Sequence, residues 1–340
     1  MVTKIVVFSD SHFRKTLRVG DDNVDWLQFQ LDCLGQVFDY CIENDVDHII
    51  FNGDLFEVKS VVDVVLFNKV WEKFYNFELR DRLIFNTGNH DIATVSGESI
   101  LKPFGSLVTV VEYDTFYSFR VEEQWTVRIV PFGSFSEEHS TKPTKHGILI
   151  LHEEIEGLTL GCTNYKLKDV IPLNMLKDWD IVVDGHIHKP QRVENVYVVG
   201  SMLQQDFGEA GEDKYFLVLN INRNGCVVDP IPIKGPKFYK LKGLDDPGIT
   251  YIDDALPNEF FRIDVSPEEV SHPIFDKPNV YFNVVKTEKR KTRIEEEDIS
   301  DEELVELYVK EVKQEEDEYE KLIEVGKKII RDWRVDHAEE

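Results

Sequence analysis

The sequence predicts an α/β fold in which two β-sheets pack face to face as a sandwich and helices cover the outside, giving four layers. Two observations predict this arrangement. Residues 1–91 alternate short apolar strands with longer helical segments, which is the pattern of a largely parallel sheet. After about residue 107, strands follow one another without long helices between them, so a second sheet is expected. A small appended α+β domain and a C-terminal helical tail are predicted to follow the sandwich.

The first sheet and its helices are predicted from apolar spacing in the N-terminal part. Short apolar runs that end at polar or glycine residues predict strands. These runs are residues 5–8, 49–51 and 83–85. Residues 24–43 and 61–75 lie between them and are predicted to be helices; in the first, Leu27, Leu31 and Leu34 recur at close to helical spacing.

The remaining strands of the two sheets are predicted where apolar runs lie closer together in the chain. Asn224-Gly225 is a strong hairpin signal between the last two of them. The predicted strands are residues 108–111, 116–121, 125–130, 148–151, 181–183, 197–199, 216–221 and 227–233.

A boundary is expected between residues 235 and 248, a segment that holds three glycines and two prolines. Beyond it, two further strands at residues 260–265 and 280–285 are predicted to build the small appended domain. Ser300 and Glu303 form a capping box that opens a helix, either a charged surface helix or one that docks its apolar stripe on another chain. The predicted domains are residues 1–235, 237–289 and 290–340.

The charge balance restricts the partners that the chain can bind alone. The net charge is −26 over 340 residues, and the last 50 residues contribute 19 acidic and 9 basic side chains. This disfavours unaided binding to nucleic acid or to an anionic membrane, so a nucleic-acid substrate would need metal ions, a basic patch or a partner.

The four cysteines and the apolar runs bear on where the protein works. The cysteines show no C-x-x-C spacing, so neither a zinc ribbon nor a disulfide framework is indicated, and a reducing compartment is expected. No apolar run approaches the roughly 18 residues of a membrane span, and no signal region is evident. A soluble, cytoplasmic protein without membrane contacts is therefore expected.

Potential metal ligands follow the ends of five predicted strands. They are Asp10, His12, Asp54, Asn89, His152, His186 and His188. Open α/β sheets bind ligands beyond the carboxyl ends of their strands, so these side chains are expected to converge. Two metal ions about 3.5–4 Å apart need roughly seven such ligands, one of which bridges both ions. Asp54, in the middle of the set, is the predicted bridging carboxylate.

The residue types in this set predict the metal and its chemistry. Asp10 and His12 are two residues apart, as are His186 and His188, and in extended backbone such side chains point to one side. Imidazole, carboxylate and amide ligands together suit Mn, Fe or Zn better than Mg or Ca. Such ions lower the pKa of a bound water from about 15.7 towards about 7, so a hydroxide held between them can attack phosphorus.

His90 and Asp91 are the predicted catalytic residues. An alkoxide leaving group needs a proton, and His90 follows Asn89 at a strand end, where it can supply one. Asp91 is expected to fix the tautomer of His90 and keep it cationic.

These residues lie in five motifs that resemble those of the calcineurin-like metallophosphoesterase superfamily, in order and with the usual gaps. The motifs are Asp10-x-His12, Gly53-Asp54, Gly88-Asn89-His90-Asp91, His152 and Gly185-His186-Ile187-His188. Further details resemble the nuclease subunit of the SbcCD type, the meiotic-recombination (Mre) nucleases and their compact bacteriophage counterparts. These details are Gly53-Asp54-Leu55-Phe56, Asn89-His90-Asp91, His186-Ile187-His188-Lys189-Pro190, and Gly200-Ser201 followed by Phe207-Gly208-Glu209. The resemblance covers residues 1–235.

The resemblance implies two Mn2+ ions, with Mg2+ or another divalent ion as the alternative. One ion would be held by Asp10, His12, Asp54 and His188. The other would be held by Asp54, Asn89, His152 and His186. His90 would contact the scissile phosphate and be oriented by Asp91. The family usually has Asp three residues after the motif aspartate, where this sequence has Glu57. The change removes no ligand, but the resemblance does not predict the hydrogen bonds around the ligands at this position.

The same resemblance implies a Mn-dependent DNA exonuclease and endonuclease subunit that acts in DNA recombination, repair and replication. Its partners would be DNA, a coiled-coil ATPase of the SbcC type bound through residues 300–333, and a second copy of the chain. The homodimer would pair segments near residues 61–75 and 96–104. The expected location is the cytoplasm, or the host cytoplasm for a phage-encoded protein.

Three other functions are weighed against this one. A small-molecule phosphodiesterase or nucleotidase would use the same dinuclear core. It would usually lack the helical tail and the capping domain, which the resemblance assigns to residues 237–289. A catalytically inactive scaffold would not need seven intact ligands. A protein phosphatase would carry Gly-Asp-x-Val-Asp-Arg-Gly, which the sequence does not contain.

Overall fold

The computed structural model describes residues 2–17, 24–94, 96–121, 124–161, 167, 170–285, 305 and 322–328. The chain divides into two compact units. One contains Met1–Asp264 and Pro273–Asn283, and the other contains Val265–His272 and Val284–Glu340. The domain boundary near residue 235 stays a prediction. Residues 322–328 of the predicted tail are helical, and most of the remaining tail lies outside the described residues.

Fifteen strands are present in the described residues. In chain order they are β1 (Thr3–Phe8), β2 (His48–Asn52), β3 (Leu83–Asn86), β4 (Thr109–Val111), β5 (Tyr117–Val121), β6 (Trp125–Ile129), β7 (His146–Leu151), β8 (Ile181–Asp184), β9 (Gln191–Val193), β10 (Val196–Val198), β11 (Tyr215–Asn222), β12 (Gly225–Pro232), β13 (Lys237–Leu241), β14 (Glu259–Val265) and β15 (Val280–Val284). Helix α1 (Trp26–Glu43) follows β1, and helix α2 (Val64–Tyr75) follows β2. The sequence predicted these elements to within a few residues, except for the short strands β9 and β13, which it missed.

The strands form two six-stranded sheets and one three-stranded sheet. The first sheet has the order β12-β11-β1-β2-β3-β4, in which β1 to β4 are parallel and β11 and β12 are antiparallel neighbours. The second has the order β5-β6-β7-β8-β10-β9, with four parallel strands at its centre. The third contains β13, β14 and β15. The predicted α/β fold with two packed sheets is therefore confirmed.

Alternate residues of the central strands explain how the sheets pack. Ile5 and Val7 of β1 are buried in the same apolar cluster as Ile150 and Val183 of the second sheet, which is the interior of the sandwich. The residues between them, such as Val6, face the opposite side of the sheet and pack in the cluster that contains the helices. Both faces of β1 are thus buried, as expected for a central parallel strand.

Helices α1 and α2 cover the outer face of the first sheet. Asp25 and Asp63 are their N-caps: the side chain of Asp25 accepts one backbone N–H of the first turn of α1, and that of Asp63 accepts two in α2. Leu34 and Phe38 of α1 are buried, and the ring of Phe38 packs 5.4 Å from that of Phe74 in α2. Helices α1 and α2 therefore form the helical layer that the sequence predicted outside the first sheet.

The outer face of the second sheet is covered differently. Leu149 and Val182 pack against Ile155 and Trp179 from the segment between β7 and β8, whose described part contains the short 3-10 turn Leu173–Leu176. Prolines and glycines recur in the sequence of residues 131–172, and both disfavour long helices. Within the described ranges, no helix is long and apolar enough to cross a membrane.

Two buried asparagines join the sheets at the carboxyl ends of their strands. The side-chain amide of Asn52, at the end of β2, donates to the carbonyl of Leu151 at 2.6 Å. Its side-chain oxygen accepts from Asn86 at 2.9 Å, and Asn86 also donates to the carbonyl of Val130. Both asparagines are fully buried, so the bonds fix the distance between the two sheets where the predicted ligands lie.

We expect Asn52→Ala to destabilise the fold by about 2–4 kcal/mol, because it leaves the amide of Asn86 and the carbonyl of Leu151 buried with fewer partners. Urea denaturation followed by circular dichroism measures the change. Asn283→Ala is the matched control, since it removes an exposed hydrogen bond to Asp264 and is expected to cost less than about 0.5 kcal/mol. Equal losses in both variants would contradict the role of Asn52.

Candidate metal centre

All seven predicted ligands lie beyond the carboxyl ends of parallel strands, and the structure brings them together. Asp10 and His12 follow β1, Asp54 follows β2, and Asn89 follows β3. His152 follows β7 of the other sheet, and His186 and His188 follow β8. Both sheets therefore contribute to one centre at a shared edge of the sandwich.

The first group of ligand atoms comes from Asp10, His12, Asp54 and His188. The Nε2 atoms of His12 and His188 are 2.9 Å apart. Asp10 Oδ1 lies 3.8 Å from His12 Nε2 and 3.9 Å from His188 Nε2. Asp54 Oδ2 is 3.5 Å from His12 Nε2. One cation can therefore be bound by two imidazoles and two carboxylates.

The second group comes from Asp54, Asn89, His152 and His186. Asp54 Oδ2 is 3.4 Å from His152 Nε2, and Asn89 Oδ1 lies 3.2 Å from the same nitrogen. His186 Nδ1 is 2.9 Å from Asn89 Oδ1. Because the same oxygen of Asp54 also approaches His12, this carboxylate stands between the two groups, as predicted for a bridging ligand.

Burial and charge show that these atoms fit divalent cations. Asp10 Oδ1 is buried and accepts no hydrogen bond from any described residue. Burial lowers the pKa of His12, but the nearby carboxylates of Asp10 and Glu57 outweigh it and raise that pKa to about 9. Burial likewise lowers the pKa of His152, while the charges of Asp54 and Asp10 raise it to about 10. The carboxylates thus favour positive charge here, which metal ions supply when they displace the protons.

The backbone reaches this arrangement by a route that the sequence argument did not predict. Asp10, His12, Asp54 and His186 have φ angles of 52°, 43°, 61° and 65°, which is left-handed backbone. The expectation that the paired ligands lie in extended backbone is therefore wrong for Asp10, His12 and His186. Strain of this kind persists where the surroundings enforce it, and it clusters at functional sites.

Glutamates and a carbonyl orient three of the histidines. His12 Nδ1 lies 3.2 Å from Glu57 Oε2, so the glutamate that departs from the family pattern reaches a ligand and leaves Nε2 for the metal. His188 Nδ1 donates to Glu209 Oε1 at 2.7 Å. His152 Nδ1 donates to the carbonyl of Asn52 at 2.6 Å. Sequence reasoning assigned no role to Glu209, which lies only in a motif that carried the resemblance.

His90 lies beside the first group of ligands. Its backbone N–H donates to Asp54 Oδ1 at 2.7 Å, and its Nδ1 donates to the carbonyl of Glu57 at 2.8 Å. One of its ring nitrogens lies within 4.8 Å of the ligand atoms of His12 and Asp54. His90 is half-buried, and the bond to Glu57 engages Nδ1 and not Nε2.

Asp91 has a different role from the one predicted. Its carboxylate accepts hydrogen bonds from the backbone N–H groups of Asp54, Leu55 and Gly88 at 2.8–2.9 Å. The expectation that it orients His90 is wrong, because the carbonyl of Glu57 does so. Burial and repulsion by Asp54 raise the pKa of Asp91 to about 7. Asp91 instead fixes the loops after β2 and β3 against each other.

Comparison with known proteins decides the family. The family model described as calcineurin-like phosphoesterase matches residues 3–228. The chain belongs to this family. Membership, together with the two ligand groups, confirms the prediction of an enzyme with a dinuclear-metal centre that hydrolyses phosphoesters.

Several relatives of this phosphoesterase are known. Protein 078R of Invertebrate iridescent virus 3, named as a phosphoesterase, is 27% identical over 207 residues, which cover 57% of this chain and 58% of the relative. The SbcD chain of the nuclease SbcCD from Staphylococcus epidermidis is 24% identical over 332 residues, covering 83% of this chain and 84% of its own. A dimetal phosphatase from Danio rerio matches 68% of this chain and 99% of its own, with 9% identity and a TM-score of 0.42.

We expect Gly185→Ala to weaken metal binding and to destabilise the phosphoesterase by about 1–3 kcal/mol. A Cβ there would lie 2.5 Å from Ser9 Oγ, 2.6 Å from His152 Nδ1 and 2.8 Å from the carbonyl of Asn52. Thermal unfolding with and without Mn2+ measures both effects. Gly105→Ala is the control, since no atom lies within 4 Å of its Cβ. If Mn2+ raises the melting temperature of Gly185→Ala as much as that of the wild type, the expectation is contradicted.

Proposed function

We propose that this phosphoesterase is a Mn-dependent nuclease subunit that cleaves DNA phosphodiester bonds as an exonuclease and endonuclease. The observation that carries the proposal is the convergence of seven ligands with His90 beside them. The likeness to the SbcD chain of the nuclease SbcCD supports a DNA substrate, since it extends over 83% of the chain, beyond the matched family region. Work in recombination, repair and replication is proposed on the same ground.

The donor set supports manganese as the metal. Four imidazole nitrogens, two carboxylates and one amide oxygen suit Mn2+, Fe2+ or Zn2+ better than Mg2+. A pair of such ions supplies Lewis acidity to the phosphate oxygens and lowers the pKa of a bound water.

His90 is proposed to give a proton to the leaving oxygen. Its Nδ1–H is held by the carbonyl of Glu57, so Nε2 is the nitrogen that carries the transferred proton. The bond between the His90 backbone N–H and Asp54 Oδ1 fixes the ring relative to the bridging carboxylate. The geometry thus ties the position of the proton donor to the position of the metal ligands.

The proposed partners explain how an acidic chain acts on DNA. A net charge of −26 disfavours DNA binding by this chain alone, so a coiled-coil ATPase bound to residues 290–340 is proposed to supply much of the DNA surface. A homodimer is proposed through residues 61–75, where Val61, just before α2, and Val64 and Val65, in its first turn, are 77%, 71% and 56% exposed. The cytoplasm is the proposed location.

A small-molecule phosphodiesterase is the second candidate function. The same negative charge favours it, because a small substrate needs no extended basic surface. Digestion of end-labelled linear and circular DNA, compared with turnover of bis-p-nitrophenyl phosphate, separates the two functions. Turnover of the small diester without any DNA cleavage, with and without the ATPase, would contradict the nuclease proposal.

We expect His90→Ala to lower the rate of phosphodiester cleavage by about 10²–10⁴-fold, the usual contribution of a general acid. Mn2+ binding, measured by calorimetry, is expected to stay at two ions. His146→Ala is the control, because His146 begins β7 at the opposite end of the strand from His152. Wild-type turnover in the His90 variant would exclude the proton-donor role.

We expect removal of residues 290–340 to abolish association with the ATPase but to spare Mn-dependent cleavage of short substrates. The segment carries most of the predicted apolar stripe of the tail, whereas every metal ligand precedes it. Co-purification of the two chains and a nuclease assay measure the two effects. Retained co-purification would contradict the role of the tail.

A further inference from the structure

We propose that Glu209 is the positioning residue for the metal ligand His188, and that it governs the affinity of the first metal site. Glu209 Oε1 accepts the Nδ1–H of His188 at 2.7 Å. A carboxylate can only accept, so Nδ1 carries the ring proton and Nε2 keeps its lone pair. That Nε2 is the atom that approaches His12 and Asp10. The inference concerns metal loading and holds for any phosphoester substrate.

The second oxygen of Glu209 is held by three donors. Glu209 Oε2 accepts from Ser201 Oγ at 2.9 Å, from the backbone N–H of Gln205 at 3.1 Å and from Lys214 Nζ at 2.8 Å. Glu209 is 6% exposed. The carboxylate is therefore fixed on one side before it contacts His188 on the other.

The local fold explains why Glu209 occupies this position. It ends the 3-10 turn Phe207–Glu209, whose N-cap Asp206 accepts from the backbone N–H of Gly208 at 2.6 Å. Phe207 is buried, and its ring packs 4.9 Å from that of Phe238 in β13. An aromatic anchor thus holds the turn that presents Glu209.

The second group of candidate ligands is not expected to depend on Glu209. His152 is oriented by the backbone carbonyl of Asn52, which a substitution at position 209 does not alter. Loss of Glu209 is therefore expected to weaken one ion and leave the other unchanged.

Glu209→Gln is the sharpest test, because the new amide cannot satisfy both sides. Gln205 N–H and Lys214 Nζ donate to Oε2, so they require the carbonyl oxygen of the amide. Its NH2 group then faces His188 and favours the tautomer with the proton on Nε2, which cannot bind a metal. Substitution of such supporting partners typically costs 10–100-fold in metal affinity.

The experiment is a titration of the full chain with MnCl2 by isothermal calorimetry. We expect Glu209→Gln to weaken one of two bound Mn2+ ions by about 10–100-fold. Glu212→Gln is the matched control: Glu212 also lies 2.8 Å from Lys214 Nζ, which in turn donates to the backbone carbonyl of His188 at 2.8 Å, so this variant perturbs the same lysine while the ring of His188 keeps its bond to Glu209. Its isotherm is expected to match the wild type.

A second comparison tests whether Glu209 acts through His188. His188→Ala alone and combined with Glu209→Gln are expected to bind Mn2+ alike, because the substitutions affect one ligand. Additive losses, or an unchanged isotherm in Glu209→Gln, would overturn the proposal. Ser201→Ala removes one support of Glu209 and is expected to weaken the same ion less. If Glu209→Gln does not fold, this variant decides, and an unchanged isotherm there overturns the proposal.

Discussion

The hydrogen bonds of Asn52 are the constraint on which the centre depends. Its backbone carbonyl accepts from Ser9 Oγ at 2.8 Å and from His152 Nδ1 at 2.6 Å, while its side chain donates to Leu151. One residue thus joins the ends of β1, β2 and β7, which belong to two sheets. Because each of these strands delivers candidate metal ligands, the distance between the two sheets sets the distance between the candidate ligands.

This arrangement places polar side chains in the buried layer at the strand ends, where apolar side chains would otherwise pack. Asn52, Asn86, Asp91 and Asp184 are all fully buried near the strand ends. Each accepts or donates hydrogen bonds there, which limits the cost of burial. The favourable free energy of folding therefore comes mainly from the three apolar clusters of the described residues. Part of this free energy offsets the cost of holding the candidate ligands in left-handed backbone at the strand ends.

Much of the fold and the convergence of the candidate ligands could be predicted from the sequence, because both follow short-range patterns. Apolar runs mark the strands, and a residue such as Asp54 directly after a run must lie at the sheet edge. Side-chain partners that are far apart in sequence could not be predicted. Glu209 accepts a hydrogen bond from His188, which lies 21 residues earlier in the chain. The carbonyl of Glu57, and not Asp91, accepts the hydrogen bond of the His90 ring. The left-handed backbone of Asp10 also escaped prediction, because it arises from the packing of loops from several strands.

The aromatic packing around Phe207 links the metal centre to the strands that follow residue 235. Phe238 and Phe260 stack at 5.0 Å, and both rings contact Trp26 of α1 at 6.1–6.3 Å. These strands therefore share a core with the first sheet. Heating is expected to unfold these strands together with the first sheet in one cooperative transition.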